Sequence, residues 1–185
     1  MLFQKEFNWC VECHANTNHY YDLYLPYEFH LRMAYQVYLE FKHLLPVSPY
    51  FVDEQAKEWE QSIFTWFEVI EKSVGGHDLE EDTRKSFNDI AKVLGIHAAR
   101  IIHAVTNEKG TTRAERANAK YYQGIRETKG ADFVKLCDRI ANVRYAKLTK
   151  SRQFKMYSEE NNHFLTNIGN NYPEMNNHLI SLFNS

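Results

Sequence analysis

The chain has 185 residues, 44% of them hydrophobic and 15% aromatic, which suffices for one well-buried core and is too short for two ordinary domains. Its 22 Lys/Arg against 24 Asp/Glu give a formal charge of −2, and with no aromatic-interleaved basic groove in the sequence nucleic acid is a poor choice of partner. No stretch approaches 18 uninterrupted apolar residues and no basic N-terminal region precedes an apolar run, so the reading is a soluble, cytoplasmic chain with no membrane partner.

Seven Gly and four Pro are few for an all-β chain, and apolar residues recur at spacings of three and four. The expectation is an all-α, compact helical bundle, one domain over residues 1–185. Residues 5–18 read as a first helix. Pro26-Tyr27 opens a second, in which Leu31, Ala34, Val37, Tyr38 and Phe41 line one face, and Pro46 and Pro49 end it. A polar segment from Asp53 to Glu58 then gives way to a helix with Ile63, Phe64, Trp66, Phe67, Val69, Ile70 and Val74, apolar on most sides and therefore expected at the centre. Ser86 to Leu94 and Ile96 to Val105 read as two short helices hinged at Gly95, the first capped by Thr83 or Asp82. Gly110 and Gly130 separate helices near 112–127 and 131–148, and weaker helical patterns follow near 155–168 and 174–183.

Chemistry concentrates in Gly76-His77-Asp78-Leu79-Glu80-Glu81-Asp82-Thr83. On a continuous helix His77 would stand above Glu81 and Asp78 above Asp82. Imidazole beside carboxylate suits a divalent transition metal, and the following carboxylates could handle water and protons, which points to a metal-dependent hydrolase. A second constellation lies in Lys135, Asp138 and Asn142, a polar stripe at helical spacing opposite an apolar stripe of Leu136, Ile140 and Val143. Alone it reads equally well as a solvated face. Cys10-Val11-Glu12-Cys13-His14 spells the C-x-x-C-H of haem attachment, but nothing supports the export that attachment requires, and the pattern reads as coincidence. Cys137 reads as a small buried apolar residue, and His43, His97, His103, His163 and His178 as surface or satisfied core residues.

His30, His77-Asp78 and Asp138, in that order, resemble the H…HD…D signature of the HD superfamily of metal-dependent phosphohydrolases. Glu81-Asp82-Thr83, Val105-Thr106-Asn107 and the segment from Lys135 to Arg144 are similar to its Rel/Spo hydrolase branch, with HD-x-x-EDT, V-T-[DN] and K-L-x-D-[RK]-x-x-N-x-R. Pro26-Tyr27-Glu28-Phe29-His30 resembles the P-Y-x-x-H of the same branch, and His14 sits where an earlier histidine would. The resemblance covers roughly His14 to Arg144. It implies an HD-type hydrolase that removes the 3′-pyrophosphate of guanosine 3′,5′-bis(diphosphate), (p)ppGpp, with one divalent ion, usually Mn2+. His30, His77, Asp78 and Asp138 would be the ligands, with Glu81 and Asp82 activating or orienting water. Asn142 would hold ribose or phosphate, with Lys135, Arg139, Arg144, His19 and Tyr20 as further substrate contacts.

Where the branch carries an Arg-Lys pair that packs on guanine, this chain has Asn18-His19-Tyr20, so base recognition is expected to be weaker or different. The interval from His30 to His77 is also longer than usual, with an insertion expected at about 46–60 and a helical tail from about 151 to 185. Gly75-Gly76 replaces bulky apolar residues before the His-Asp doublet, which is expected to loosen the site. From Lys109 to Lys155, 13 Lys/Arg face four acids, a local +9 that could focus a polyphosphate, although Arg113, Arg116, Lys120 and Arg126 singly read as solvent-facing. The same metal chemistry on another nucleotide, such as a nucleoside monophosphate or the 2′-phosphate of NADPH, is the next reading, followed by a non-catalytic helical binding module.

Overall fold

A computed structural model describes residues 3–46 and 66–184. The insertion expected at about 46–60, Pro49, Ile63 and Phe64 lie outside the described residues, apart from Pro46. Helix α1 (Gln4–Ala15) leads into a two-stranded antiparallel hairpin of β1 (Tyr20–Tyr21) and β2 (Leu25–Pro26), then α2 (Glu28–Phe41) with a 3-10 turn at Lys42–Leu44. There follow α3 (Trp66–Gly76), α4 (Leu79–Asp82), α5 (Phe87–Leu94), α6 (Ile96–Val105), α7 (Arg113–Arg116), α8 (Ala119–Glu127), α9 (Ala131–Leu148), α10 (Arg152–Ile168) and α11 (Pro173–Asn184). None of the described helices is long and apolar enough to cross a membrane.

The helical expectation holds, and the differences have local causes. Ser86, rather than Thr83 or Asp82, caps α5: its hydroxyl accepts the Asp89 N–H at 3.3 Å while the Asp89 carboxylate accepts the Ser86 N–H at 3.0 Å. Gly95 hinges α5 and α6 at φ +91°, a conformation that side-chain-bearing residues rarely adopt. The expected helix near 112–127 is two, because Asn118 accepts the Tyr121 N–H and starts α8 afresh. The hairpin gives no such periodic signal; its turn runs through Asp22 and Leu23 at positive φ.

Among the described residues α9 packs against α2, α3, α6, α8, α10 and α11, while α3, most of whose described residues are buried as expected, packs against α1, α2, α6 and α9. One apolar cluster joins α2, α3, α6 and α8 to α11; a second joins α1, α2, α4, α5 and α6. His30 is buried on α2, the helix that carries Leu31 of the second cluster and Ala34 of the first.

The glycine pair does not loosen this region. The space a side chain would occupy at Gly75 is bordered by Phe3 and Phe7, and a Cβ at Gly76 would lie 2.7 Å from Leu94 Cδ1 and 3.0 Å from Ile102 Cδ1. Bulk is supplied by neighbouring helices instead, which lets α5 and α6 close on the end of α3 just before His77. Gly76→Val is expected to destabilise the fold by about 1–3 kcal/mol through overpacking. A urea midpoint indistinguishable from wild type would contradict this close packing.

Candidate metal centre

Helix α3 ends at Gly76, so His77 and Asp78 fall in the turn before α4 and do not stack as one helix over Glu81 and Asp82. Asp78 occupies the N-cap position of α4 at φ −101°, ψ 4°, in a bridge region where active-site residues often sit. Its carboxylate makes no cap. It accepts instead from the Tyr27 hydroxyl and lies 2.9 Å from His77 Nε2 and 3.4 Å from His30 Nε2.

Asp138, from the middle of α9, completes the group: its Oδ1 is 3.3 Å from His30 Nε2 and 3.6 Å from His77 Nε2. The two imidazole Nε2 atoms are 3.1 Å apart. All four side chains are buried and offer ligand atoms within 4.8 Å of one another. Adjacent donors around one first-row cation, with bonds of about 2.0–2.2 Å, stand about 3 Å apart, so this donor set and its spacing fit a single divalent ion. The Nδ1–H of His77 donates to the Val74 carbonyl at 2.8 Å, which directs the Nε2 lone pair inward. Nδ1 of His30 has no hydrogen-bond partner among the described residues, and stacking on Tyr21, 4.9 Å between centroids, sets that ring.

Electrostatics follow from the crowding. Burial would depress His77, but Asp78 and Asp138 outweigh it and hold the imidazole well above its usual range. Burial would likewise raise both aspartates, but His77 on Asp78 and Lys135 on Asp138 keep them well below the usual carboxylate range. Lys135 Nζ lies 3.0 Å from Asp138 Oδ2. Asp82 differs: burial, then the charges of Asp78 and Glu81, push its carboxyl up to about 7.

An open cleft of about 650 Å³ leads to this centre. Glu81 and Asp82 line it, as do Lys135, Arg139 and Asn142. Both oxygens of Glu81 accept from the Asn107 amide, at 2.7 and 3.0 Å, which explains the neighbouring Val105-Thr106-Asn107 motif: it anchors Glu81. Asn142 borders the cleft and is also tied to its neighbours, donating to Asp138 and accepting from Tyr21 at 2.9 Å. The α9 polar stripe therefore faces the cleft and not bulk solvent.

Three expected contacts fall elsewhere. Arg144 pairs with Glu40 at 2.7 Å and reaches His178, because six residues beyond Asp138 places it on another face of α9. Tyr20, 53% exposed, points the opposite way from Tyr21, as successive residues of a strand do. His19 approaches Asp82 at 3.8 Å but is stacked on Tyr27 at 4.0 Å and does not border the cleft. His14, with its pKa lowered to about 3 by burial, also stacks on Tyr27, at 4.2 Å, and its Nδ1 lies 3.1 Å from that of His19. Cys137 is free and buried, as expected of a packing residue, and Cys10 and Cys13 are free and buried as well.

Periodicity did not single out Tyr21 and Tyr27, whose hydroxyls orient Asn142 and Asp78. Nor did it place the wall formed by Arg113, Arg116, Tyr121, Tyr122, Tyr157, Glu160, His163 and Asn167, although the basic run was its one visible sign.

The chain is related in sequence to guanosine-3′,5′-bis(diphosphate) 3′-pyrophosphohydrolase MESH1 of Danio rerio, 35% identical over 68 residues, and to MESH1 of Drosophila melanogaster and Homo sapiens, each 31% identical over 68 residues. Each match takes in 37% of this chain and 38% of the relative, so the chain spans well under half the length of the curated relatives it matches. The fold likeness extends further: a solved structure, described as a metazoan ortholog of SpoT that hydrolyzes ppGpp and plays a role in starvation responses, superposes with a TM-score of 0.68 at 17% identity. It covers 98% of this chain and 93% of the other, and shows a shared helical fold. No family model matches the chain.

If the four buried side chains hold an ion, the purified protein should retain close to one equivalent of manganese after desalting, measured by plasma mass spectrometry. Asp138→Asn and His30→Ala should each lose most of it. Retention by both variants would place the metal elsewhere.

Proposed function

We propose that the chain is a metal-dependent phosphohydrolase that releases pyrophosphate from the 3′ position of a guanosine 3′,5′-bis(diphosphate), with manganese the expected ion. The observation that carries this reading is the convergence of His30, His77, Asp78 and Asp138 at the floor of a cleft whose rim supplies both carboxylates and cations. The MESH1 relatives, named for this reaction, support the substrate. A cytoplasmic location accords with a nucleotide substrate.

When bound, a divalent ion supplies Lewis-acid polarisation of a phosphoryl group and makes water easier to deprotonate. Asp82 would take that proton: it borders the cleft next to the ligand group, and its burial beside Asp78 and Glu81 raises its affinity for a proton. Glu81, clamped by Asn107, would orient the water at the same end. The Tyr27 hydroxyl donates to Asp78 and lies 3.4 Å from Asp82, coupling the position of the base to that of a ligand. Lys135, 3.0 Å from Asp138 Oδ2 and on the cleft lining, would add positive charge for the substrate's phosphates.

A second reading, hydrolysis of a different nucleotide by the same centre, draws support from the positions of Tyr20 and His19. Tyr20 is largely in solvent and His19 is stacked on Tyr27, so neither presents a cation-backed face to guanine in this arrangement. Base selectivity is accordingly expected to be modest.

Asp82→Asn should retain manganese and lose turnover by about 10²-fold or more, the scale of lost acid–base assistance. Glu81→Gln should show a comparable or smaller loss with metal intact. Both should be measured as pyrophosphate release from ppGpp, beside NADPH and nucleoside monophosphates. Turnover of Asp82→Asn equal to wild type would remove it from the mechanism, and manganese-loaded wild type that cleaves only a nucleotide lacking a 3′-diphosphate would favour the second reading.

A further inference from the structure

The cleft wall away from the four-residue centre contains an unusual ion-pair arrangement. Glu160 of α10 bridges two arginines, receiving Arg113 Nε at 2.8 Å and Nη2 at 3.0 Å, and Arg139 Nη1 at 3.4 Å. All three residues line the cleft. The paired contact to Arg113 is the fork geometry by which guanidinium also binds phosphate. Arg139 is held in place by its guanidinium lying 4.4 Å from the Phe164 ring centroid and 4.8 Å from that of Tyr157. Arg113 lies over the same Tyr157 ring at 5.8 Å. Two cations are thus fixed on an aromatic floor, with a carboxylate on them where a ligand anion would go.

We infer that Arg113 and Arg139 form a second anion subsite masked by Glu160, which selects nucleotides carrying a diphosphate on the sugar position remote from the one cleaved. The inference rests on the phosphohydrolase reading above. Arg139 lines the same cleft as His30, Asp78 and Asp138, so an anion on Arg139 shares one ligand-sized cavity with the centre. A carboxylate carries one negative charge. A monophosphate brings about −1.5 to −2 and three oxygens, whereas a diphosphate brings a further charge and enough oxygens to engage both forks at once, so it displaces the carboxylate more readily. Glu160 is part-exposed, with 32% of its side chain accessible, so it can swing off the arginines into water without burying an unpaired charge. Glu160 thereby acts as a specificity-determining residue.

The test is titration calorimetry of inorganic pyrophosphate and of inorganic phosphate into the full chain stripped of divalent ions, which isolates the subsite from the metal centre. Wild type should bind pyrophosphate in preference to phosphate. Glu160→Gln should tighten both, by about three- to tenfold for the loss of partly screened ion pairs, and the gain should be larger for phosphate, so that selectivity narrows. Arg113→Gln should lose affinity for both anions. Should Glu160→Gln fold poorly by circular dichroism, Glu160→Asp keeps the charge but is too short to span both arginines, and it should tighten binding in the same direction. A folded variant at Glu160 that binds pyrophosphate no better than wild type, or an Arg113→Gln protein that binds as well as wild type, would overturn the inference. Failure of metal-loaded wild type to release pyrophosphate from any nucleotide would instead overturn the underlying reading, whatever these metal-free titrations give.

Discussion

Two carboxylates and two imidazoles, buried with their ligand atoms within 4.8 Å of one another, set the terms for the rest of the structure. Unneutralised, such a group would be costly by several kcal/mol per charge. The surroundings are arranged to neutralise and fix it. Lys135 pairs with one carboxylate, the Tyr27 hydroxyl donates to the other, and the Val74 carbonyl accepts from His77. The Asn142 amide holds the Asp138 carboxylate against its own helix turn. Each of these partners comes from an element that also carries a presumed ligand or adjoins one, so the supporting hydrogen bonds and the helix packing reinforce each other.

The fold supports this by bringing α2, the α3–α4 turn and α9 together at the seam between two apolar clusters. The turn is possible because Gly76 allows Leu94 and Ile102 to close on the end of α3. Interrupting the helix there frees the backbone at His77 and Asp78 to aim both side chains inward, which a continuous helix would not permit, since neighbouring residues on a helix point about 100° apart. The hairpin performs a related service on the other side. Its two-residue strands turn Tyr21 onto His30 and Asn142 while leaving Tyr20 in water.

Charge is distributed unevenly along the cleft. Acids and imidazoles gather at the floor, and Lys135, Arg113, Arg116 and Arg139 occupy the wall built by α7, α8, α9 and α10. The basic run that the sequence carries between Lys109 and Lys155 is therefore only partly a solvated surface. Arg113 and Arg139 face the cleft, whereas Lys120 pairs with Glu108 and Arg144 with Glu40 on the outside. Composition gives the sum of these charges, and packing decides which of them a ligand would meet.

The sequence by itself determined the helical class, most helix limits and the candidate ligand set. Periodicity, caps and glycines act over a few residues, and the order of His30, His77-Asp78 and Asp138 is a pattern that survives without knowledge of packing. Its misreadings have one physical origin. Whether α9 turns Asn142 toward Asp138, whether Arg144 shares that face, which tyrosine of the Tyr20-Tyr21 pair enters the site, and whether Glu160 meets Arg113 all depend on how elements far apart in the chain approach each other. Those approaches are set by side-chain interdigitation at many contacts together, such as Phe3 and Phe7 against Gly75 and Leu94 against Gly76, and no local window of sequence contains both partners. Tertiary structure alone assembled Tyr21, Tyr27 and the Arg113–Glu160–Arg139 group, because each owes its role to a neighbour from another element of the fold.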